Sequence, residues 1–209
     1  MIDFNSIPKS ESDLLLSKWG YDLMDEYYQL IAAAEFKRGS LILDLATGTG
    51  RALSILSRME HLVFTGDYNY DFKAEVERRV TGEYANQVTY IILNLEKIPF
   101  PDNSFENIVC IDTLHELENP FLCLGEIIRI HAPAGKLLIA DFNNFGFDVM
   151  DKLHFVRYGR VHPKGKILLQ ELKNIIVGNY YNAVEIDTKL NKGFIARDKR
   201  NGKSMEISQ

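Results

Sequence analysis

The residues of this chain most suited to chemistry stand in the run LILDLATGTGRAL at 41–53. A short apolar stretch carrying Asp44 ends at Leu45, small residues fill 46–50, and helical composition begins at once. Gly48 and Gly50 let the backbone turn sharply and lie close to a ligand, and the first N–H groups of the following helix lack intrahelical partners. A bare β-to-α turn would use the same residues without any ligand. A second anchor comes from VFTGDYN, which places Asp67 seventeen residues after Gly50. At the tip of a neighbouring strand a carboxylate accepts hydrogen bonds from two vicinal ribose hydroxyls; read alone, Asp67 is equally a solvated turn residue. No dinucleotide fingerprint is present, because the position three after Gly50 is Leu53, and no G-x-x-x-x-G-K-[ST] phosphate loop occurs. Asp44 beside the loop would repel a pyrophosphate and attract a cation. Together the anchors predict a nucleoside ligand that carries positive charge.

The elements that must position these residues follow from the pattern of the chain. Short apolar runs at 41–45, 61–66, 88–93, 107–111 and 136–140 are rich in Ile, Leu and Val, as strands covered on both faces are. Stretches of helical spacing at 52–59, 71–80 and 121–131 lie between them. Alternation of this kind predicts an α/β fold, a Rossmann-like open doubly wound sheet with right-handed crossovers. Residues 11–37 carry Leu16, Trp19, Leu23, Tyr27, Leu30 and Ile31 on one helical face, with Gly20 a weak point, and predict an amphipathic N-terminal helix. Residues 166–177 read as another helix. The runs 183–190 and 193–198, separated by Asn191 and Lys192, read as a hairpin whose last strand is antiparallel, the seventh of the sheet.

Composition excludes several classes. The chain has 209 residues, 46% hydrophobic and 25% charged, with a net charge of -5 and two cysteines. Its apolar runs are far short of the about 20 residues that cross a bilayer, and no basic region followed by an apolar stretch marks a secretory signal. A cytoplasmic location is the expectation. Cys110 and Cys123 lack CxxC partners and are expected to be buried small hydrophobes. The acidic balance disfavours nucleic acid as a partner. No repeat or linker divides the chain, so a single domain spanning 1–209 is expected.

Several stretches together resemble the class I S-adenosylmethionine-dependent methyltransferases, in particular the small single-domain group that includes the quinone-biosynthesis C-methyltransferases. LDLATGTG at 43–50 is similar to their first motif, with Ala46 where many members have glycine. TGDYN at 65–69 resembles the acidic end of their second strand. NLEKIPFPDNSFENIVCIDTLHEL at 94–117 and EIIRIHAPAGKLLIADF at 126–142 match later stretches in the same order. The resemblance covers about residues 40–142 and implies S-adenosyl-L-methionine as cofactor, with methyl transfer to a small-molecule acceptor. It implies that Asp44, Ala46, Thr47, Gly48 and Gly50 shape the methionine part of the pocket. Asp67 would hold the ribose, Tyr68 would pack on the adenine, Asn94 would offer an acceptor to its amino group, and Leu95 would offer a backbone N–H. Asp112 and Thr113 would line the site near the sulfonium.

A sulfonium is already a strong methyl donor, so alignment and exclusion of water are the protein's main tasks. An acceptor that must lose a proton needs a base, and His115, beside Glu116, is the candidate; a helix-start histidine with local hydrogen bonds is the other reading. The remaining histidines lack HExxH spacing, so no metal is expected. Residues 1–38 are expected to form a helical lid, 40–142 the cofactor-binding core, and 143–209 the acceptor-side segment and hairpin. Trp19, Tyr27 and Tyr28 could cover the pocket or pack as core. From Lys152 to Gln170 the chain has basic residues and no acidic one, so Arg157 and Arg160, among aromatics, are expected to face an anionic or aromatic acceptor unless they lie on a solvated face. A non-catalytic cofactor-binding regulator of the same fold is the alternative, and a nicotinamide-dependent oxidoreductase is disfavoured by Leu53.

Overall fold

A computed structural model describes residues 4–69 and 71–200. Its centre is a seven-stranded sheet of β1 (Leu41–Leu45), β2 (Leu62–Asp67), β3 (Val88–Ile92), β4 (Phe105–Ile111), β5 (His131–Phe142), β6 (Tyr180–Asp187) and β7 (Asn191–Lys199). The spatial order is β3-β2-β1-β4-β5-β7-β6, and only β7 runs opposite to the other six strands. The order reverses between β1 and β4, and at such a reversal the carboxyl ends of the strands leave a crevice.

Both faces of the central strands are apolar, and each residue's parity decides which side it covers. Leu43, Leu45, Ile108 and Cys110 pack with Cys123, Leu124 and Ile127 of α5 (Pro120–Ile130) and with Leu172 and Ile176 of α7 (Leu169–Asn179). Ile42, Val109, Ile111 and Leu138 pack instead against Leu30 and Ile31 of α2 (Leu23–Ala34) and Leu53, Ile55 and Leu56 of α3 (Arg51–Arg58). Each fully buried Leu or Ile contributes about 1.5–3 kcal/mol, so the two clusters hold the binding loop on a stiff base. Both cysteines are buried and unpaired.

The N-terminal stretch is two helices rather than one. Helix α1 (Glu11–Lys18) is capped by Ser10, whose side chain and backbone both bond Asp13, and it stops before Gly20 at φ +82. Asp22 then caps α2 by accepting from Met24 N at 2.9 Å. Glycine and an Asx cap in three residues stop one helix and start the next at a new angle. Asp13 also pairs with Arg51 at 2.9 Å and with Arg79 of α4 (Lys73–Arg79). Burial alone would raise the Asp13 carboxyl, yet the two guanidiniums hold it well below the usual carboxylate range.

Helix α6 (Asn144–Tyr158) follows β5, capped by Asn143 and ended by Gly159 at φ +67. The hairpin turn lies at 188–190, closed by Thr188 N–H donating to Asn191 O at 2.9 Å, three residues earlier than the polar Asn191–Lys192 pair indicates. Leu190 is buried against α6, and Asn191 is a fully buried first residue of β7. No helix among the described residues is long and apolar enough to cross a membrane.

Candidate active site

The carboxyl ends of β1, β2 and β4 open into a cleft of about 1160 Å³. Asp44, Ala46, Thr47, Gly48, Asp67, Tyr68, Asn94, Leu95, Asp112 and Thr113 all line it. Gly50 does not; it caps α3 at φ +81, where an added Cβ would meet Val76 Cγ2 at 3.3 Å. The loop is held by its own backbone, with Gly50 N donating to Thr47 O at 2.8 Å and Thr47 N to Gly66 O at 3.1 Å. Asp67 Oδ2 accepts the Gly48 N–H at 2.7 Å, which joins the two sequence anchors and leaves the other carboxylate oxygen for a ligand. Thr49 Oγ1, in the same wall, is buried without a partner.

Asp44 is 2% exposed and accepts from Thr65 Oγ1 at 2.7 Å, and Thr65 in turn meets the Thr47 hydroxyl at 2.5 Å. Burial pushes the Asp44 carboxyl up to about 7; the Thr65 bond opposes this and the nearby Asp67 charge adds to it. Asp112 follows β4 in the left-handed region at φ +52, with Asn191 Nδ2 on its Oδ1 and no partner for its buried Oδ2. Burial raises its carboxyl, and the Asp141 charge raises it further. The phenol of Tyr27 stands beside it; burial, then Asp112, raise that hydroxyl. Asn94 Oδ1 already accepts from Glu96 N at 2.9 Å, while Tyr68 is 71% exposed at the rim.

The other end of the cleft is built around His115, in a short 3-10 turn after β4. Asp141, at the carboxyl end of β5, accepts the His115 backbone N–H at 2.9 Å and lies 2.6 Å from its Nδ1. Nε2 faces Nε2 of His162 at 2.9 Å, and His162 Nδ1 faces Nδ1 of His154 at 3.2 Å. Burial works against a charged His115, but Asp141, then Asp112 and Glu116, raise its pKa overall. His162 is pushed down to about 3 by burial and by the neighbouring histidines. Phe142, Met150 and Leu153 complete an apolar wall beside Tyr27.

The acceptor-side residues fall in different places. Tyr27 and Arg157 line the cleft, whereas Trp19 and Arg160 do not. Trp19 packs beside the cluster of α1 and α6 under Lys152 Nζ at 4.3 Å, Tyr28 packs against the core, and Arg160 lies over the Tyr158 ring at 5.9 Å. Arg157 bonds Ser12 and, at 2.6 Å, Glu11, joining α6 to α1. Sequence reasoning passed over Asp141, His162 and Arg51. Asp141 had a signal, being an acid at the end of an apolar run as Asp67 is; His162 had none in its spacing.

Residues 43–139 match the methyltransferase domain family. The matched stretch is just under half of the chain. The ubiquinone/menaquinone biosynthesis C-methyltransferase UbiE of Pseudoalteromonas translucida is 28% identical over 68% of this chain and 59% of its own length. The enzyme of the same name from Shewanella pealeana is 33% identical over 64% of this chain and 55% of its own. The chain thus spans less than three fifths of the length of these curated relatives. In architecture, a SAM-dependent methyltransferase from Aquifex aeolicus superposes over 90% of this chain and 98% of its own with a TM-score of 0.62 at 22% identity. The fold is that of the class I S-adenosylmethionine-dependent methyltransferases.

Proposed function

We propose that this protein transfers a methyl group from S-adenosylmethionine to a small aromatic acceptor. The observation that carries the reading is the Asp67 carboxylate bound to the Gly48 N–H inside the cleft, which couples a ribose acceptor to a glycine-rich loop. The unpartnered Thr49 hydroxyl and Asp112 Oδ2 fit a polar ligand, and the buried Asp44 fits a cationic one. In this reading Asp44, Ala46, Thr47 and Gly48 hold the methionine part with Gly50 shaping the turn, and Asp67 holds the ribose. Tyr68, Asn94 and Leu95 bound the adenine, Asn94 sharing an oxygen already used by Glu96, and Asp112 with Thr113 adjoins the sulfonium.

When bound, the cofactor supplies an electrophilic methyl group. The chain's work is to align the acceptor with it and exclude water. The wall of Tyr27, Phe142, Met150 and Leu153 suits a flat ring, and an acceptor of that kind agrees with relatives named for quinone biosynthesis. Arg157 is already engaged by Glu11, so the aromatic rather than the anionic half of the sequence expectation is retained. Helices α1 and α6, joined through Arg157, serve as the lid. The His115–Asp141 pair promotes proton loss from the acceptor through Nε2 once the acceptor displaces His162, which meets that nitrogen at 2.9 Å, since Asp141 fixes Nδ1.

Calorimetry with adenosylhomocysteine, followed by transfer of labelled methyl from the cofactor to hydroquinone acceptors, tests this. Binding and a labelled quinol are expected. Absence of heat with either form of the cofactor rejects the whole reading, and binding without transfer to any extract component indicates a non-catalytic regulator.

A further inference from the structure

We propose that His115, His162 and Glu116 bind one divalent transition-metal ion of zinc type, with a fourth position open to the cleft. One ligand atom from each of the three lies within 4.8 Å of the others. His115 Nε2 is 2.9 Å from His162 Nε2 and 3.8 Å from Glu116 Oε1. A tetrahedral zinc with bonds of roughly 2.0–2.1 Å spaces its ligand atoms by about 3.3 Å, between these two distances. Opening the nitrogen pair by about half an ångström and swinging the exposed Glu116 side chain inward, toward His162 as well as His115, brings all three spans, none above 4.8 Å, to that spacing. Two imidazoles and a carboxylate form the donor set that borderline divalent ions favour over Mg²⁺ or Ca²⁺.

The surroundings orient these ligands as a metal requires. A carboxylate behind a ligating histidine fixes its tautomer, and Asp141 stands 2.6 Å from His115 Nδ1, so the proton sits there and Nε2 keeps its lone pair. His162 Nδ1 can donate to His154 Nδ1 in the same way, at 3.2 Å. The loop that carries His162 is fastened at three points. His162 N–H donates to Asp151 at 2.9 Å, Lys166 Nζ donates to Glu118 O at 2.9 Å, and Gly165, at φ +81, lies so close to His115 that a Cβ there would fall 2.6 Å from its Cα. His115, Glu116 and His162 all line the cleft, which supplies both an approach and an open position. Spacing along the chain carries no trace of this site, because the two histidines are 47 residues apart.

The ion site stands independently of methyl transfer; its use does not. An ion in that position would hold an acceptor oxygen and favour its loss of a proton, the task otherwise left to His115 alone. The full chain, stripped with chelator, is titrated with Co²⁺ and then Zn²⁺. The expected result is one equivalent of Co²⁺ with the visible bands of a four- or five-coordinate ion, displaced by Zn²⁺. Glu116→Gln, on a mostly exposed side chain, and His162→Gln should each weaken Zn²⁺ binding by at least about tenfold, and Asp141→Asn by roughly 10–100-fold. Circular dichroism and adenosylhomocysteine affinity should not change in Glu116→Gln. The proposal is overturned if uptake is not stoichiometric, or if Glu116→Gln and His162→Gln leave it unaltered, in which case the facing nitrogens share only a proton. Adenosylhomocysteine binding by the wild-type chain, measured in parallel, separates failure of this site from failure of the methyl-transfer reading.

Discussion

The two ends of the cleft are built on different plans. The cofactor end is local: Asp44, the 46–50 loop and Asp67 come from two adjacent parallel strands and one turn, and their polar groups bond one another within that unit. The acceptor end is assembled from distant pieces, with His115 after β4, Asp141 at the end of β5 and His162 beyond α6. A local unit keeps its shape with little help from the rest of the chain. An assembled one depends on several elements docking correctly, so it is easier to vary and harder to read from spacing.

Two substitutions should divide the ends cleanly. Asp67→Ala removes the Gly48 bond and the ribose acceptor together, so adenosylhomocysteine affinity should fall by about 1.5–3 kcal/mol, on the order of 10–150-fold, by calorimetry. Asp141→Asn should leave that affinity within about twofold while lowering kcat by roughly 10²-fold or more, as loss of a group that orients a catalytic histidine does. If Asp141→Asn weakens cofactor binding as strongly as Asp67→Ala, the cleft is one coupled unit and the comparison fails.

The same contrast explains what was legible in the sequence. The loop, Asp67 and the alternation of strands and helices follow from short apolar runs and from glycines whose backbone needs are local. The apolar face of the N-terminal stretch continues in phase from Leu16 to Leu23 and predicts one helix with a weak point at Gly20, while Gly20 and the Asx cap at Asp22, which divide it, act on the backbone and leave hydrophobic periodicity intact. Helical phase puts Trp19 on an apolar face and composition puts Arg160 in a basic stretch, but neither says which side a neighbouring element will cover. His162 was invisible because its meaning depends on a loop folding back against His115, a tertiary event that Gly165 permits and no local pattern announces.

A pH series sharpens the cofactor end further. Asp44 titrates near 7 in the folded chain against an ordinary value of 3.8, so between these values the folded state holds a proton that the unfolded state lacks. The sign follows: Asp44's contribution makes the fold less stable as pH rises from about 4 to 7. A sulfonium beside it favours the ionised form, so binding of adenosylmethionine below pH 7 should expel that proton, whereas the neutral sulfur of adenosylhomocysteine gives it less reason to leave. The affinity of the methylated form relative to the demethylated one should rise about three- to tenfold from pH 6 to 8. Asp44→Asn should flatten the ratio, and a flat ratio in the wild type would remove Asp44 from the sulfonium's surroundings.

The smallest effect concerns the single departure of the loop from the pattern it resembles. Ala46 occupies the left-handed region at φ +57, where an L side chain crowds the following carbonyl and where the resemblance puts glycine in many members. That crowding costs about 1–2 kcal/mol, whereas glycine there adds about 0.5–1 kcal/mol of unfolded-chain entropy, so the two nearly cancel. Ala46→Gly should therefore stabilise the fold by no more than about 1 kcal/mol, seen as a shift of a few degrees in Tm. A clear loss of stability would mean that the Ala46 methyl, partly buried against the sheet's core, contributes more packing than its strain takes away. Such a loss would also show that the cofactor end relies on side-chain contact as the acceptor end does, and the division between a self-contained loop and a docked assembly would then be one of degree.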